Sequence, residues 1–200
     1  MRKGTNIRTI SSLKPDYMGL IFYPKSPRYV DDKKASAVAN AFPKKTKRIG
    51  VFVNEEMRIV FDTTLAFKLD LIQLHGSESP EYCREMKEMG FSLIKAFGVG
   101  DNFDFKQLEA YKPYCDYFLF DTKSDKHGGT GKKFDWTLLQ KYDNEIPIFL
   151  SGGIGPEDVE AIQKIENLNI HALDINSRFE TEPGIKDYEL LKIFIDKIRN

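Results

Sequence analysis

The stretch Asp116-Tyr-Phe-Leu-Phe-Asp121-Thr-Lys123 decides the fold, because it has the pattern of a strand inside a parallel sheet. Its apolar run, residues 117–120, shows no alternation with polar residues, which is typical of a strand buried on both faces. One carboxylate, Asp121, ends this run. Parallel α/β folds place their chemistry at the carboxyl ends of strands. Asp121 is therefore the best catalytic candidate, although a helix-capping or salt-bridged aspartate would leave the same local pattern.

A glycine-rich segment, Gly128-Gly129-Thr-Gly131, follows Asp121 and predicts a loop next to a small anion. Glycines let the backbone approach a ligand closely, and such a loop can also close over a bound molecule. An ordinary turn before the helix that begins near Asp135 would contain the same residue types. The residues alone leave both interpretations open.

The composition predicts a folded protein with one domain, residues 1–200, in a reducing cytoplasm. Hydrophobic residues make up 41% of the 200 residues and charged residues 30%, which suits a soluble domain with a sizeable core. The formal net charge is +0, which argues against nucleic acid or an anionic membrane surface as a partner. Cys83 and Cys115 lack the spacing of metal ligands, which favours a reducing cytosol. The first residues lack the apolar core of a signal peptide, and no apolar run is long enough to span a bilayer.

Strand and helix patterns alternate along the chain, and this alternation calls for a parallel sheet. We count seven strand patterns and eight helix patterns, with strong helix starts at Ser79-Pro80 and Asp187. The prediction is an α/β fold, a (β/α)8 TIM barrel with its first strand missing from this chain, because the barrel needs eight strands and the unmatched helix is the first. The alternative is an open doubly wound sheet, whose usual early glycine fingerprint is not seen in this sequence.

In a barrel, the polar residues that end successive strands would meet at one mouth. Two of these groups, Gly152-Gly153 and Asn176-Ser177, follow the last two strands, where barrels commonly bind phosphate through backbone N–H groups. The full predicted set is Arg28, Asn54, Gln73, His75, Lys95, Asp121, Ser151-Gly152-Gly153 and Asp174-Ile-Asn176-Ser177.

Several of these residues also have a purely structural interpretation. Arg28 could be an ordinary loop cation, although Pro24 and Pro27 hold its loop in place. A histidine such as His75 is more often a hydrogen-bonded structural residue than a catalyst. A buried amide at Gln73 would need a partner. Lys95 could pair with a carboxylate instead of contacting a substrate.

Taken together, five ordered fragments resemble the phosphoribosylanthranilate isomerase family. Each fragment is weakly specific alone, but the ordered set is highly specific and extends from near residue 5 to the C-terminus. The fragments are Tyr23-Pro-Lys-Ser-Pro-Arg-Tyr29, Gln73-Leu-His-Gly76, Phe120-Asp-Thr-Lys123 with Gly128-Gly-Thr-Gly-Lys-Lys-Phe-Asp-Trp136, Leu150-Ser-Gly-Gly-Ile154, and Asp174-Ile-Asn-Ser-Arg-Phe-Glu180 with Pro183-Gly-Ile-Lys-Asp187.

The resemblance implies an isomerase of tryptophan biosynthesis that uses no metal and no organic cofactor. The implied reaction is the Amadori rearrangement of N-(5-phosphoribosyl)anthranilate to 1-(2-carboxyphenylamino)-1-deoxyribulose 5-phosphate. Asp121 would be the general acid that protonates the furanose ring oxygen. The implied substrate-binding residues are Arg28 at the anthranilate end, Gln73 and His75, the closing loop with Gly128 and Gly129, and the phosphate turns with Gly152, Gly153, Asn176 and Ser177.

The sequence departs from the family at its start. The family's first strand ends in Cys-Gly-Met, whose cysteine is the general base, and Met1-Arg2 aligns with the family's residues just after that cysteine. Neither Cys83 nor Cys115 lies at a matching position. We therefore expect residues 1–200 alone to be inactive or nearly so. A misassigned start codon, a degenerate paralogue and a strand supplied by another chain are the three explanations.

Two other hypotheses remain from the sequence. An indole-glycerol-phosphate synthase would need a lysine acid and a longer N-terminal extension. A non-catalytic barrel that binds a phosphate ligand would keep the glycine turns and Arg28. A barrel lacking one strand would expose two sheet edges, so a homodimer through those edges is a further expectation.

Overall fold

The computed structural model describes residues 1–31, 35–123 and 135–199, and its centre is a curled parallel sheet. Seven strands follow one another in sequence order across this sheet. Every pairing between neighbours is parallel, which confirms the predicted α/β architecture. The strands are β1 (Tyr17–Ile21), β2 (Lys47–Phe52), β3 (Leu71–Leu74), β4 (Leu93–Val99), β5 (Tyr117–Thr122), β6 (Ile148–Leu150) and β7 (Ile170–Leu173).

Helices pack on the outside of the sheet. Ser79 caps the helix that starts at Pro80 by accepting a hydrogen bond from the Tyr82 N–H, as predicted. Asp187 accepts a hydrogen bond from the Leu190 N–H at the start of the C-terminal helix. The helices are α1 (Gly4–Ser11), α2 (Ala35–Ala39), α3 (Met57–Phe67), α4 (Pro80–Glu88), α5 (Val159–Gln163) and α6 (Tyr188–Arg199).

The helices predicted after β4 and β5 are 3-10 helices, Phe105–Ala110 and Trp136–Lys141. Asp104 and Asp135 cap them through the N–H groups of Lys106 and Thr137. Short connections commonly use this tighter form.

The polar residues over 176–184 predict a loop, and the structure shows that this prediction is wrong in part. A 3-10 turn, Ser177–Phe179, leads into an antiparallel hairpin of β8 (Glu180–Glu182) and β9 (Ile185–Lys186). Pro183 and Gly184 form its tip, and Gly184 has a φ of 83°. A proline followed by a glycine in the left-handed region is the pattern of a type II turn, which reverses the chain within four residues.

The sheet separates two apolar layers. Phe118 and Phe120 of β5 belong to the outer layer against the helices, whereas Leu119 belongs to the inner layer. This arrangement confirms that β5 is buried on both faces. The buried residues of the inner layer are Ile49, Leu71, Ile94, Ala96, Leu119 and Phe149. Inward residues from successive strands therefore fill the centre as in a barrel.

Within the described residues, the sheet does not close, since no strand joins β1 to β7. Apart from β2, β1 makes only an isolated parallel bridge, between Ile21 and Tyr29. Side chains cross the opening instead, and the Tyr17 hydroxyl lies 2.7 Å from Nε2 of His171. A cavity of about 1180 Å³ lies between the two edges and extends to the carboxyl ends of the strands. The seven-stranded, open arrangement is the one predicted from the sequence.

No helix in residues 1–31, 35–123 and 135–199 combines the length and the apolar character needed to cross a lipid bilayer.

Candidate active site

Asp121 lies near the end of β5 and its carboxylate reaches the mouth of the barrel. Its Oδ1 accepts a hydrogen bond of 2.7 Å from the Thr122 N–H. Its Oδ2 lies 3.5 Å from Nε2 of His75, which follows β3, two strands away in the sheet. The side chain is 18% exposed, so it can contact a ligand and is still shielded from bulk water.

Gln73 fixes the orientation of His75. The Gln73 amide nitrogen lies 2.7 Å from Nδ1 of His75, and an amide nitrogen can only donate. Nδ1 is therefore the acceptor, and in the neutral ring the proton lies on Nε2, which faces Asp121. The buried amide thus has the partner that the sequence required, and the resulting chain of contacts runs from Gln73 through His75 to Asp121.

A second carboxylate, Asp174, follows β7 and lies close to the first. Its Oδ2 accepts a hydrogen bond of 3.2 Å from the Ser151 hydroxyl. Burial raises the pKa of Asp174, and the negative charge of Asp121 raises it further. The ammonium of Lys186 opposes these effects without cancelling them. The mouth therefore holds two carboxylates whose charges repel each other.

Two turns lie beside these carboxylates at the mouth of the barrel. Gly152 and Gly153, after β6, have φ values of 92° and 70°, a region that side chains other than glycine rarely adopt. Consecutive glycines of this kind can direct neighbouring N–H groups towards one point. The turn at Asn176 and Ser177 follows β7, and Gly153, Asn176 and Ser177 line the same cavity.

Arg28 lines this cavity from the loop after β1, but it is not a solitary cation. Its Nε lies 2.9 Å and 3.1 Å from the two carboxylate oxygens of Glu180, and its Nη2 lies 2.7 Å from one of them. Glu180 also lies 3.3 Å from Nζ of Lys186. The cation predicted from the sequence is therefore one part of a buried ionic cluster.

The cavity brings together most of the predicted residues. Gly128 and Gly129 lie outside the described residues, and Gly152 sits next to Gly153 in the same turn. The predicted residues that line the cavity are Arg28, Gln73, His75, Asp121, Ser151, Gly153, Asp174, Asn176 and Ser177.

Lys95 and Asn54 do not join this mouth. Nζ of Lys95 lies 3.1 Å from the Glu78 carboxylate and donates to the carbonyls of Leu74, Gly76 and Ala96. Lys95 and Glu78 are each only 2% exposed at the side chain. Asn54 accepts hydrogen bonds from Ser77. The structural interpretation of Lys95, pairing with a carboxylate, is therefore the correct one.

Glu180 and Lys186 were not predicted as site residues, although both lie in one of the five fragments that resemble the family. The available signal was the Pro183-Gly184 dipeptide. A tight turn there sets Glu180 opposite Lys186, which is the register observed in the hairpin. Opposite charges facing each other on a short hairpin would have indicated an ion pair.

The described part of the chain contains no group of three or more histidine, cysteine, aspartate or glutamate side chains that could hold a metal ion. Cys83 and Cys115 are both free and buried in the outer apolar layer. Neither lies among the described residues that line the cavity.

Comparison with known proteins assigns the chain to a family. A family model described as N-(5'phosphoribosyl)anthranilate (PRA) isomerase matches residues 1–197. The N-(5'-phosphoribosyl)anthranilate isomerase of Parabacteroides distasonis is 43% identical over 202 residues, which cover 99% of this chain and 90% of that protein. This chain belongs to the phosphoribosylanthranilate isomerase family.

Solved phosphoribosylanthranilate isomerases share the fold. The Thermotoga maritima structure matches with a TM-score of 0.88 at 34% identity, covering 100% of this chain and 95% of that one. A phosphoribosylanthranilate isomerase in complex with reduced 1-(O-carboxyphenylamino)-1-deoxyribulose 5-phosphate matches with a TM-score of 0.83 at 32% identity, covering 100% and 99%. The family resemblance predicted from the ordered fragments is confirmed, and with it the isomerase class of tryptophan biosynthesis.

Proposed function

We propose that this chain converts N-(5-phosphoribosyl)anthranilate into 1-(2-carboxyphenylamino)-1-deoxyribulose 5-phosphate. The observation that carries the proposal is a single cavity lined by Asp121, by the turns at Gly153 and Ser177, and by Arg28. An acid, an anion site and a cation that can meet a carboxylate are the groups that this substrate needs. Its two anionic ends are a phosphate and an aromatic carboxylate, and its reacting atoms lie between them.

In the proposed reaction, Asp121 donates a proton to the furanose ring oxygen. The bond from C1 to that oxygen breaks while the nitrogen lone pair forms a C1=N imine. The nitrogen keeps its hydrogen, so this imine is an iminium cation. The C2 proton then leaves, its electron pair forms the C1=C2 bond while the C1=N pair returns to nitrogen, and the resulting enolamine tautomerises to the aminoketose. His75, which Gln73 orients, lies beside Asp121 and holds the carboxylate towards the ring oxygen.

The two ends of the substrate have separate proposed sites. Arg28 binds the anthranilate carboxylate, since a guanidinium can meet a carboxylate through two parallel hydrogen bonds. The glycine turn, Gly152 and Gly153, and the turn at Asn176 and Ser177 bind the phosphate through backbone N–H groups. Gly128 and Gly129 lie outside the described residues, and their contact with the substrate stays a prediction from the resemblance.

The acid role is tested by Asp121→Asn, which keeps the shape of the side chain and removes its proton. We expect kcat to fall by about 10²- to 10⁴-fold, the usual contribution of a general acid. The affinity for reduced 1-(O-carboxyphenylamino)-1-deoxyribulose 5-phosphate, the reduced product analogue, should change by less than about threefold. The measurements are turnover, followed by anthranilate fluorescence, and calorimetric binding of the analogue.

Asp116→Asn is the matched control, because Asp116 lies at the opposite end of the same strand and pairs with Lys87. An unchanged kcat in Asp121→Asn, or an equal loss in Asp116→Asn, would contradict the acid role. Binding of the analogue without any reaction in wild type or variants would favour the non-catalytic phosphate-binding barrel instead.

The proton leaving C2 needs an acceptor, and the resemblance gives that role to a cysteine with no counterpart at Cys83 or Cys115.

We also propose that the chain acts as a single domain in the cytoplasm and forms a homodimer through the open edges of β1 and β7. Exposed strand edges favour pairing with another chain. One solved relative is described as monomers derived from dimeric phosphoribosylanthranilate isomerase of Thermotoga maritima. The free thiols of Cys83 and Cys115 suit a reducing compartment, and cell fractionation tests the location.

A further inference from the structure

The cluster of Arg28, Glu180 and Lys186 has a feature that the proposed reaction does not use. One carboxylate, Glu180, lies between two cations that both line the cavity. Glu180 itself is not among the described residues that line it. Its side chain is 4% exposed, against 12% for Arg28 and 9% for Lys186. Any effect of Glu180 on a ligand must therefore act through these two neighbours.

On one side, Glu180 fixes the plane of the Arg28 guanidinium. Its two oxygens engage Nε and Nη2 of Arg28 at 2.7 to 3.1 Å. Two parallel contacts of this kind hold a planar cation in one orientation, which a single contact cannot do. The Nη1 side of the guanidinium then becomes the edge that can meet a ligand carboxylate.

On the other side, Glu180 helps to hold Lys186, and Lys186 holds the turn after β7. Nζ of Lys186 donates to the Ile175 carbonyl at 3.2 Å and to the Asn176 carbonyl and side-chain oxygen, each at 2.8 Å. With these carbonyls turned towards the ammonium, the peptide groups of the turn have a fixed direction. This turn carries the backbone proposed to bind phosphate.

The electrostatics agree with a tightly coupled cluster. Burial acts to raise the pKa of Glu180, but its hydrogen bonds with Arg28 and the charge of Lys186 outweigh burial, so the pKa lies below its usual range. Burial lowers the pKa of Lys186, and the charges of Glu180 and Asp174 limit that fall. Glu180 thus stays ionised at neutral pH and stabilises both cations where they stand.

We propose that Glu180 is a positioning residue, which sets the distance and orientation between the carboxylate site at Arg28 and the phosphate site at residues 175–177. The inference rests on the proposed function, because those two sites are the ones assigned to the substrate. The β8–β9 hairpin then acts as a spacer that selects ligands whose two anionic ends are correctly separated. A ligand that carries only one anion gains little from this spacing.

The test compares Glu180→Gln with Glu182→Gln in calorimetric binding of the reduced product analogue. Glu182 lies on the same hairpin, but it is 52% exposed and pairs with Lys3 at the surface. Losing a charged hydrogen-bond partner of Arg28 is expected to weaken the analogue about ten- to hundredfold in Glu180→Gln. Glu182→Gln should bind like wild type, and Glu180→Asp, which keeps the charge, should recover part of the loss.

Single-anion ligands separate positioning from loss of the fold. Ribulose 5-phosphate and anthranilate, measured one at a time, should each lose less affinity in Glu180→Gln than the analogue loses, since neither ligand uses the spacing between the two sites. A thermal unfolding scan checks that each variant is folded. If Glu180→Gln does not fold, Glu180→Asp tests the same contact, because aspartate keeps the charge but is one methylene too short for the two-point geometry, and an affinity for the analogue equal to that of wild type would then overturn the inference.

A ligand-free signal separates the inference from the proposed function. The Arg28 Nε–H resonance should be protected and distinct in wild type and in Glu182→Gln, and it should be lost in Glu180→Gln. Equal binding of the analogue by Glu180→Gln and wild type overturns the inference and leaves the proposed function intact. Failure of wild type to bind the analogue, with the Arg28 signal present, overturns the proposed function and the inference that rests on it.

Discussion

The ionisation of Asp174 is opposed by its surroundings. Burial and the nearby charge of Asp121 raise its pKa, so the folded protein holds the Asp174 proton to a higher pH than the unfolded chain does. An unfolded aspartate loses its proton near pH 4. The free energy of unfolding therefore falls as the pH rises from that value through the folded pKa of Asp174. At neutral pH, the buried carboxylate of Asp174 therefore lowers the free energy of unfolding, as groups in functional sites often do.

We expect Asp174→Asn to raise the free energy of unfolding at pH 7, because the amide carries no charge and its oxygen can still accept from Ser151. The gain should disappear as the pH falls below about 4, where the unfolded aspartate is also protonated. Urea denaturation of both proteins at a series of pH values measures the difference. A difference that is independent of pH would show that repacking, and not ionisation, is responsible.

For individual residues, the sequence predicted which residue types lie at the site better than it predicted their hydrogen-bond and ion-pair partners. Asp121 and Gln73 were predictable because each ends or lies within an apolar strand pattern. The partner of Arg28 was not, since Glu180 is 152 residues away in sequence and reaches it only through the hairpin. Pairing at that separation depends on the tertiary structure and leaves no local pattern in the sequence.

Among the elements, the glycine turn after β6 depends most directly on its backbone. Gly153 has a φ of 70°, where a Cβ atom is strained, and it lines the cavity. The sequence predicted this turn from its paired glycines. It could not predict the β8–β9 hairpin from polarity alone, because polar residues over 176–184 suit a loop equally well.

Gly153→Ala is expected to lower the free energy of unfolding by about 1 kcal/mol and to weaken binding of inorganic phosphate and of the reduced analogue at least about tenfold. Gly90→Ala is the matched control. Gly90 has a φ of 88°, and a Cβ atom there would meet nothing within 4 Å. It should show a similar loss of stability with unchanged binding. Normal phosphate affinity in Gly153→Ala would argue against the proposed anion site.

For the whole molecule, the sequence predicted seven parallel strands and an unclosed sheet with a gap before the first strand. This was possible because each strand and each helix leaves a local pattern that can be counted along the chain. What it could not predict is how the opening is spanned. The Tyr17 and His171 contact crosses between the first and last strands and depends on the curvature of the sheet as a whole.

If the open edges pair between two copies, sedimentation velocity should show a dimer that dissociates on dilution. Gly19→Pro should shift the equilibrium towards monomer, because proline removes a backbone donor from the edge strand β1. Gly19→Ala is the control, since it keeps the N–H and its Cβ atom would lie 4.0 Å from the nearest atom, in Val51. A monomer at all concentrations, or a Gly19→Pro dimer as tight as wild type, would contradict pairing through this edge.

The neighbour-to-neighbour order of the strands has a consequence for biosynthesis. Each strand docks on the one made just before it, so no pairing has to wait for a distant part of the polypeptide to leave the ribosome. The sheet can therefore grow during translation, with each newly made strand covering the exposed edge of its predecessor. Nascent chains halted at successive lengths should then resist protease progressively from the amino terminus onwards.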